Sequence, residues 1–212
     1  GRGQAAGVVQ ARGGARHDAA RTRREARLAR LLAKRGRGAD PALADDRDDD
    51  ARWRFESVRS VLPEDALFGN LMFPGKMLMD IDEAGGILSM RYCKGFVMTA
   101  CLDAMDFYAP IFSHEVVVLK AALNHVGRSS LEVGVKVLAE TPWSGRIRHA
   151  CTAYLTYVHL TLGPDGLGPA PCPPFTPETA TERRRWDEAA MRREHRLARV
   201  KRLKAQLANE RG

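Results

Sequence analysis

The sequence predicts an α+β domain in which an antiparallel sheet wraps round one long helix, with basic helical extensions at both ends. Three observations carry this expectation. Met77, Leu78, Ile81, Ala84, Gly85 and Leu88 recur at helical spacing within 76–91. Beyond Gly95 the period shortens to that of strands, in four consecutive segments rich in Val, Leu, Thr and Tyr. The excess basic charge lies outside this region.

Residues 1–17 are rich in Gly and Arg, and 18–34 carry Ala, Leu and Arg with helical propensity, stopped by Gly36 and Gly38. The run from Asp45 to Asp50 reads as a solvated linker that offers counter-charge to the basic arm. It lacks the fixed turn geometry of a calcium loop. The expected organisation is an extension over 1–52, a folded domain over 53–162, and a linker with a charged helix over 163–212. Arg54 to Leu62 is the expected first strand, stopped by Pro63, and a loop from Glu64 to Gly75 leads into the helix. Gly85 and Gly86 are poor helix formers, so their presence predicts something packed closely over the helix. Strands at 96–107, 115–125, 130–140 and 147–160 are expected to run as an antiparallel meander, with turns at Gly127-Arg128 and Pro142-Trp143-Ser144-Gly145. Pro164 to Pro174 reads as a linker. Thr179 or Thr181 caps a final helix reaching about Leu207. That helix is polar on most faces, with a thin apolar strip of Trp186, Met191, Leu197, Val200 and Leu203, and it needs a docking surface.

No apolar run approaches the ~20 residues needed to cross a bilayer, so no membrane span is expected. The net charge of +8 divides into +9 for 1–38, −4 for 39–52, −2 for 53–174 and +5 for 175–212. The domain itself is therefore not a basic nucleic-acid-binding module, whereas the extensions carry charge that can neutralise phosphate. Cys93, Cys101, Cys151 and Cys172 form no CxxC pair and no metal-ligand spacing. Cys101 and Cys151 lie in apolar segments and read as small core residues in a reducing compartment. His125, His149 and His159 fall at unrelated strand positions, and no metal is expected. The Arg- and Ala-rich, acid-poor start reads as a mitochondrial targeting segment or as a retained basic arm. It predicts a mitochondrial rather than a cytoplasmic location.

Five segments in register then point to a family. They are Pro63-Glu64-Asp65-Ala66 through Phe73-Pro74-Gly75-Lys76; Met79-Asp80-Ile81-Asp82-Glu83-Ala84-Gly85-Gly86; and Val97-Met98-Thr99-Ala100 with Asp103-Ala104-Met105-Asp106-Phe107 and Pro110. The later ones are Val126-Gly127-Arg128-Ser129-Ser130-Leu131-Glu132-Val133 with Thr152-Ala153-Tyr154-Leu155-Thr156-Tyr157-Val158, and the closing stretch Pro173-Pro174 through Trp186. From Glu56 to about Lys204 the chain resembles the hotdog-fold acyl-CoA thioesterases, or acyl-CoA hydrolases, of the YciA-like and brain-type cytosolic branch. The resemblance does not reach residues 1–52.

The resemblance implies a hotdog fold that hydrolyses fatty acyl-CoA to fatty acid and CoA. It implies no cofactor beyond the coenzyme A thioester itself, and a homodimer or trimer of dimers. It places Asp82 as the general base or water-orienting carboxylate. Read from the residues alone, Asp82 is either functional or a carboxylate satisfied near the positive end of the helix dipole. Thioester hydrolysis also needs donors for the oxyanion, expected at the backbone of Phe73 and Gly75 in the loop entering the helix. By resemblance, Gly127, Arg128, Ser129 and Ser130 lie near the CoA phosphates, where Arg128 offers charge and fork geometry. By themselves these residues are equally an ordinary hairpin turn. Three positions depart from the family: Pro74 replaces the first of two glycines, Leu67 an asparagine, and Tyr92 a histidine. Proline has no N–H to donate, so weakened hydrolysis is expected. The alternative is a hotdog scaffold recruited as a structural subunit of an RNA–protein assembly such as a mitochondrial ribosome, its basic arms meeting rRNA and ribosomal proteins. A non-catalytic acyl-CoA sensor would use the same pocket.

Overall fold

A computed structural model describes residues 50–67, 69–164 and 166–209. The expectations placed on the Gly/Arg-rich arm and on most of the Asp-rich run lie outside the described residues. In chain order the elements are β1 (Arg54–Ser60), β2 (Ala66–Leu67), β3 (Leu71–Met72), α1 (Pro74–Cys93), β4 (Phe96–Phe107), β5 (Val116–Val126), β6 (Ser130–Thr141), β7 (Arg146–Gly163), β8 (Gly166–Pro169) and α2 (Ala180–Asn209). A short 3₁₀ turn, Pro63–Asp65, follows β1.

Period-two alternation decides which face of the sheet meets α1. On β6, Leu131, Val133, Val135 and Val137 are all buried, and on β7 so are Ala153, Leu155 and Tyr157. They pack against Met77, Ile81, Ala84 and Leu88, the apolar stripe of α1, to make one core. The helix ends where Lys94 takes a left-handed conformation, φ 52°, turning the chain into β4.

The sheet order is β1-β5-β6-β7-β4, every pairing antiparallel. Only β5, β6 and β7 form the expected meander. β4 lies on the far side of β7, so the chain crosses the sheet between Phe107 and Val116. That crossing is pinned by Glu115, which is buried. Its carboxylate accepts from both terminal nitrogens of Arg148 at 2.6 and 2.5 Å, and from the Phe112 N–H at 2.9 Å. A charge-assisted fork of this kind holds a loop that has no ladder of its own. The stretch read as a Gly/Pro linker also differs: Gly166–Pro169 pairs back on Leu160–Gly163 as a hairpin.

The closing helix begins on Thr179, whose Oγ1 accepts from the Glu182 N–H at 3.0 Å while Glu182 reaches back toward the Thr179 N–H, a capping box. Of the expected apolar strip, Trp186 docks and the remainder does not. Met191, Leu197 and Val200 are exposed, whereas Arg185, Ala189, Arg192, Arg196 and Arg199 face the outer side of the sheet. That side offers polar partners: Asn124 for Arg185, Glu132 for Arg192, and Asp103 for Arg196. Trp186 stacks on His125 with ring centroids 4.1 Å apart. The helix thus docks largely by ion pairs and hydrogen bonds, because the sheet face beneath it carries carboxylates.

The first turn of α2 is tied across the molecule. Glu182, 1% exposed, accepts from the Arg52 backbone N–H at 3.0 Å, from its guanidinium at 3.0 Å, and from the Glu178 N–H at 2.8 Å. These donors outweigh burial and hold its carboxyl down at about 2, against an ordinary 4.5. A depressed carboxylate stabilises the fold fully above its unfolded value and loses that contribution as pH falls toward its folded value. Glu182→Gln is expected to cost about 3 kcal/mol at neutral pH. In urea titrations it should also show a shallower loss of stability between pH 4.5 and about 2 than the parent chain. Equal slopes would contradict this role.

Candidate active site

Asp82 lies midway along α1, half-buried, between Ile81, which is fully buried, and the exposed Glu83. Two hydroxyls reach it from the sheet. Thr99 Oγ1 on β4 donates to Asp82 Oδ1 at 2.6 Å. The Tyr157 hydroxyl on β7 donates to the Asp82 carbonyl at 3.0 Å and stands 3.3 Å from Oδ1. Thr99 and Tyr157 are direct cross-strand partners, so the antiparallel register sets both hydroxyls at one height. Immediately after Thr99 the register shifts, and a second shift follows Leu102. These irregularities let β4 present Thr99 to the helix and Asp103 to the opposite face. Burial and the neighbouring carboxylate push the Tyr157 hydroxyl up, so it stays a donor.

Gly85 makes this contact possible. A Cβ there would sit 2.3 Å from the Tyr157 hydroxyl oxygen, whereas one at Gly86 meets nothing closer than 3.9 Å. The close packing expected over the glycine pair therefore occurs at Gly85.

The loop entering α1 is held by a second network. Arg59 on β1 binds Asp65 at 2.6 Å and Asp80 at 2.9 Å, bridging the loop to the helix. Arg59 lowers the Asp65 carboxyl, while burial raises that of Asp80 despite the same guanidinium. The Phe73 N–H, expected among the oxyanion donors, is committed to the Asp65 carbonyl at 2.8 Å. Pro74 has none to give. The Gly75 N–H, in the first turn of α1, has no intrahelical acceptor. Leu67 on β2 is exposed, beside exposed Leu71 and Phe73. Tyr92 is a tether: its hydroxyl donates to the Pro173 carbonyl at 2.9 Å and its ring packs edge-on to Trp53.

The Gly127–Ser130 hairpin stands at the same end of the sheet as Thr99. Leu131 pairs with Tyr157, and Tyr157 with Thr99, placing the hairpin two strands, about 10 Å, from Thr99. The Gly127 N–H donates to the Ser130 carbonyl at 2.7 Å, and Arg128 is exposed. Gly75 and Asp82 are likewise separated by about 10 Å of helix rise. The structure thus brings Asp82 together with Thr99 and Tyr157, and leaves both the Arg128 turn and Gly75 about 10 Å away.

Comparison with known proteins identifies the family and the fold. The family model described as Thioesterase superfamily matches residues 69–142. The uncharacterized acyl-CoA thioester hydrolase YkhA of Bacillus subtilis is 37% identical over 153 residues, 72% of this chain and 86% of that protein. The chain belongs to the thioesterase superfamily. Its fold is the hotdog fold, an antiparallel curled sheet with a helix packed against it. Among solved structures, an acyl-CoA hydrolase from Staphylococcus aureus in complex with butyryl coenzyme A, coenzyme A and coenzyme A disulfide is 30% identical, with TM-score 0.66, covering 75% of this chain and 95% of that one. The same enzyme has been solved with alanine in place of an aspartate, an asparagine and a threonine. A hexameric acyl-CoA thioesterase is 32% identical, with TM-score 0.65, covering 70% of this chain and 94% of that one.

Thr99 and Tyr157 escaped the sequence reading as site residues. Both stand within stretches that carry the family resemblance, but β7 also carries Thr152, Tyr154 and Thr156, so a hydroxyl there singled out no position. Their meeting at Asp82 depends on the β4–β7 pairing, which no local pattern announces. The RNA–protein alternative gains no support from the described residues: Arg192 and Arg196 are spent on Glu132 and Asp103.

Gly85→Ala sets about 1 kcal/mol of improved helix propensity against overpacking of about 1–3 kcal/mol. A buried ring whose hydroxyl already bonds the helix gives little, so the variant is expected to be less stable by about 1 kcal/mol in urea titration. Greater stability than the parent would show that Tyr157 is free to move.

Proposed function

We propose that this chain hydrolyses acyl-CoA thioesters to the free acid and coenzyme A. The observation that carries this reading is the convergence of Thr99 and Tyr157 on Asp82. The threonine and aspartate replaced in the S. aureus acyl-CoA hydrolase have the same separation along the chain as Thr99 and Asp82 here, and its replaced asparagine corresponds in spacing to Leu67. Asp82 accepts a proton from water as the water oxygen bonds to the thioester carbon. Thr99 and Tyr157 engage Oδ1, leaving Oδ2 to receive that proton. The carbonyl oxygen becomes an oxyanion, the carbon–sulfur bond breaks, and the proton passes on to the departing thiolate.

Gly75 cannot serve the same carbonyl as Asp82 of its own chain, because about 10 Å of helix lies between them. A complete site therefore takes the loop donor from a second copy. β4 is a sheet edge carrying exposed Phe96, Met98 and Leu102, a surface suited to pairing with that copy, and the hexameric relative supports assembly of this kind. Arg128, Ser129 and Ser130 would receive CoA phosphate. The YciA-like and brain-type branch is the subgroup we assign.

Leu67 offers no hydrogen bond where a polar group would steady water or substrate. We therefore read the rate as reduced, and Leu67→Asn is expected to raise kcat in a thiol-release assay. Across acyl-CoAs from acetyl to palmitoyl, the parent chain is expected to release CoA for at least one length, and Asp82→Asn to lower kcat by ~10² or more. Absence of thiol release at every length, or an unaffected Asp82→Asn, would refute the reading.

A further inference from the structure

Three groups that no spacing in the sequence joins meet where α1 ends. Cys93 closes the helix, His159 stands on β7, and Cys172 lies in the segment between β8 and α2. One ligand atom from each lies within 4.8 Å of the others, and the two sulfurs are 4.0 Å apart. Two thiolates on one tetrahedral zinc, each about 2.3 Å from the ion, stand about 3.8 Å from one another. The pair therefore has nearly the required separation before any ion binds.

The histidine is prepared in the same sense. Its Nδ1 lies 2.8 Å from the Pro171 carbonyl, which only accepts, so Nδ1 carries the proton and the Nε2 lone pair is left to coordinate. A backbone carbonyl fixing the tautomer is the usual support of a metal-bound imidazole. A Cβ at residue 95 would sit 2.5 Å from Nε2, and glycine there keeps that nitrogen clear. Cys93 is buried while His159 and Cys172 are half-buried, which gives an ion both shelter and a way in.

We propose that Cys93, His159 and Cys172 form a binding site for a borderline-soft divalent ion such as zinc, with the fourth tetrahedral position taken by water. Each thiol gives its proton to solvent as its sulfur–metal bond forms, and His159 binds as the neutral imidazole. Two thiolates cancel the charge of the ion, so the bound site is neutral and suits a half-buried place. The ion joins three segments otherwise linked by hydrogen bonds: the end of α1, β7, and the segment leading to α2. The Cys172 N–H already donates to the Arg128 carbonyl at 2.8 Å, so the clamp also steadies the Gly127–Ser130 turn. The site includes none of Asp82, Thr99 and Tyr157, so ion binding is measured separately from hydrolysis.

The test is titration of the reduced, chelator-stripped full chain with Co²⁺. A thiolate-to-cobalt charge-transfer band and tetrahedral d–d bands are expected, saturating at about one ion per chain and displaced by Zn²⁺. Cys172→Ser and His159→Gln should lose these bands, and Cys101→Ser should keep them. Absence of the charge-transfer band in the parent chain, or its full retention in Cys172→Ser, would overturn the site. Should the ligand variants misfold, alkylation of the parent chain decides. Protection of Cys93 and Cys172 by Zn²⁺, read by mass spectrometry, supports the site, and equal modification with and without Zn²⁺ overturns it.

Discussion

The approach of Tyr157 to Gly85 constrains the rest of the structure. A phenol is accommodated against the helix backbone only because one residue of α1 has no side chain, and the hydroxyl then bonds the Asp82 carbonyl. That contact sets the spacing between helix and sheet at the centre of the core, where Ile81, Leu88, Leu131 and Leu155 are fully buried. It also fixes Asp82, since Thr99 arrives beside Tyr157 through the same strand pairing. Core packing and the candidate chemistry therefore share one set of atoms. A change that loosens the helix from the sheet disorders the carboxylate as well.

The outer face of the sheet follows different physics. There α2 is held by guanidinium–carboxylate pairs and by Arg192 over the Tyr154 ring, 3.9 Å from its centroid. Partly buried pairs of this kind cost desolvation and repay it only when their geometry is good. Arg192 meets that condition by contacting both oxygens of Glu132, and Asn124 completes the acceptor at 3.1 Å. Arg185, Arg192 and Arg196 are thereby spent within the domain, whereas Arg183, Arg193, Lys201 and Arg202 are exposed. Between the two faces, the Trp53–Tyr92–Phe175–Trp186 aromatic contacts join the end of α1 to the start of α2. Tyr92 belongs to this tether.

Much of the fold was legible in the sequence because periodicity reports burial directly. The helix expected at 76–91 occupies 74–93, and the strand expected at 96–107 has those bounds. The placement of β4 beside β7 was not legible, because alternating strands look alike whichever neighbour they pair with, and the Glu115–Arg148 fork that holds the crossing loop spans 33 residues. Gly166–Pro169 read as linker because Gly and Pro carry no strand pattern, yet it pairs with the overlong end of β7. At the site, Asp82 stood out as a carboxylate on an apolar helix. Its partners did not, since a hydroxyl in a strand becomes informative only when the register is known. Phe73 illustrates the reverse case: its place in the loop suggested a donor, but its N–H is consumed by Asp65.

The central claim is that two hydroxyls hold the Asp82 carboxylate in the orientation hydrolysis requires. Steady-state kinetics of Thr99→Val, Tyr157→Phe and the double variant on the best acyl-CoA substrate test it most directly. Each single change is expected to lower kcat about tenfold with little change in KM, and the double variant to fall short of the product of the two, because both groups act on one carboxylate. A double variant that keeps the parent kcat would contradict the assignment of Asp82 and its two partners as the reacting centre.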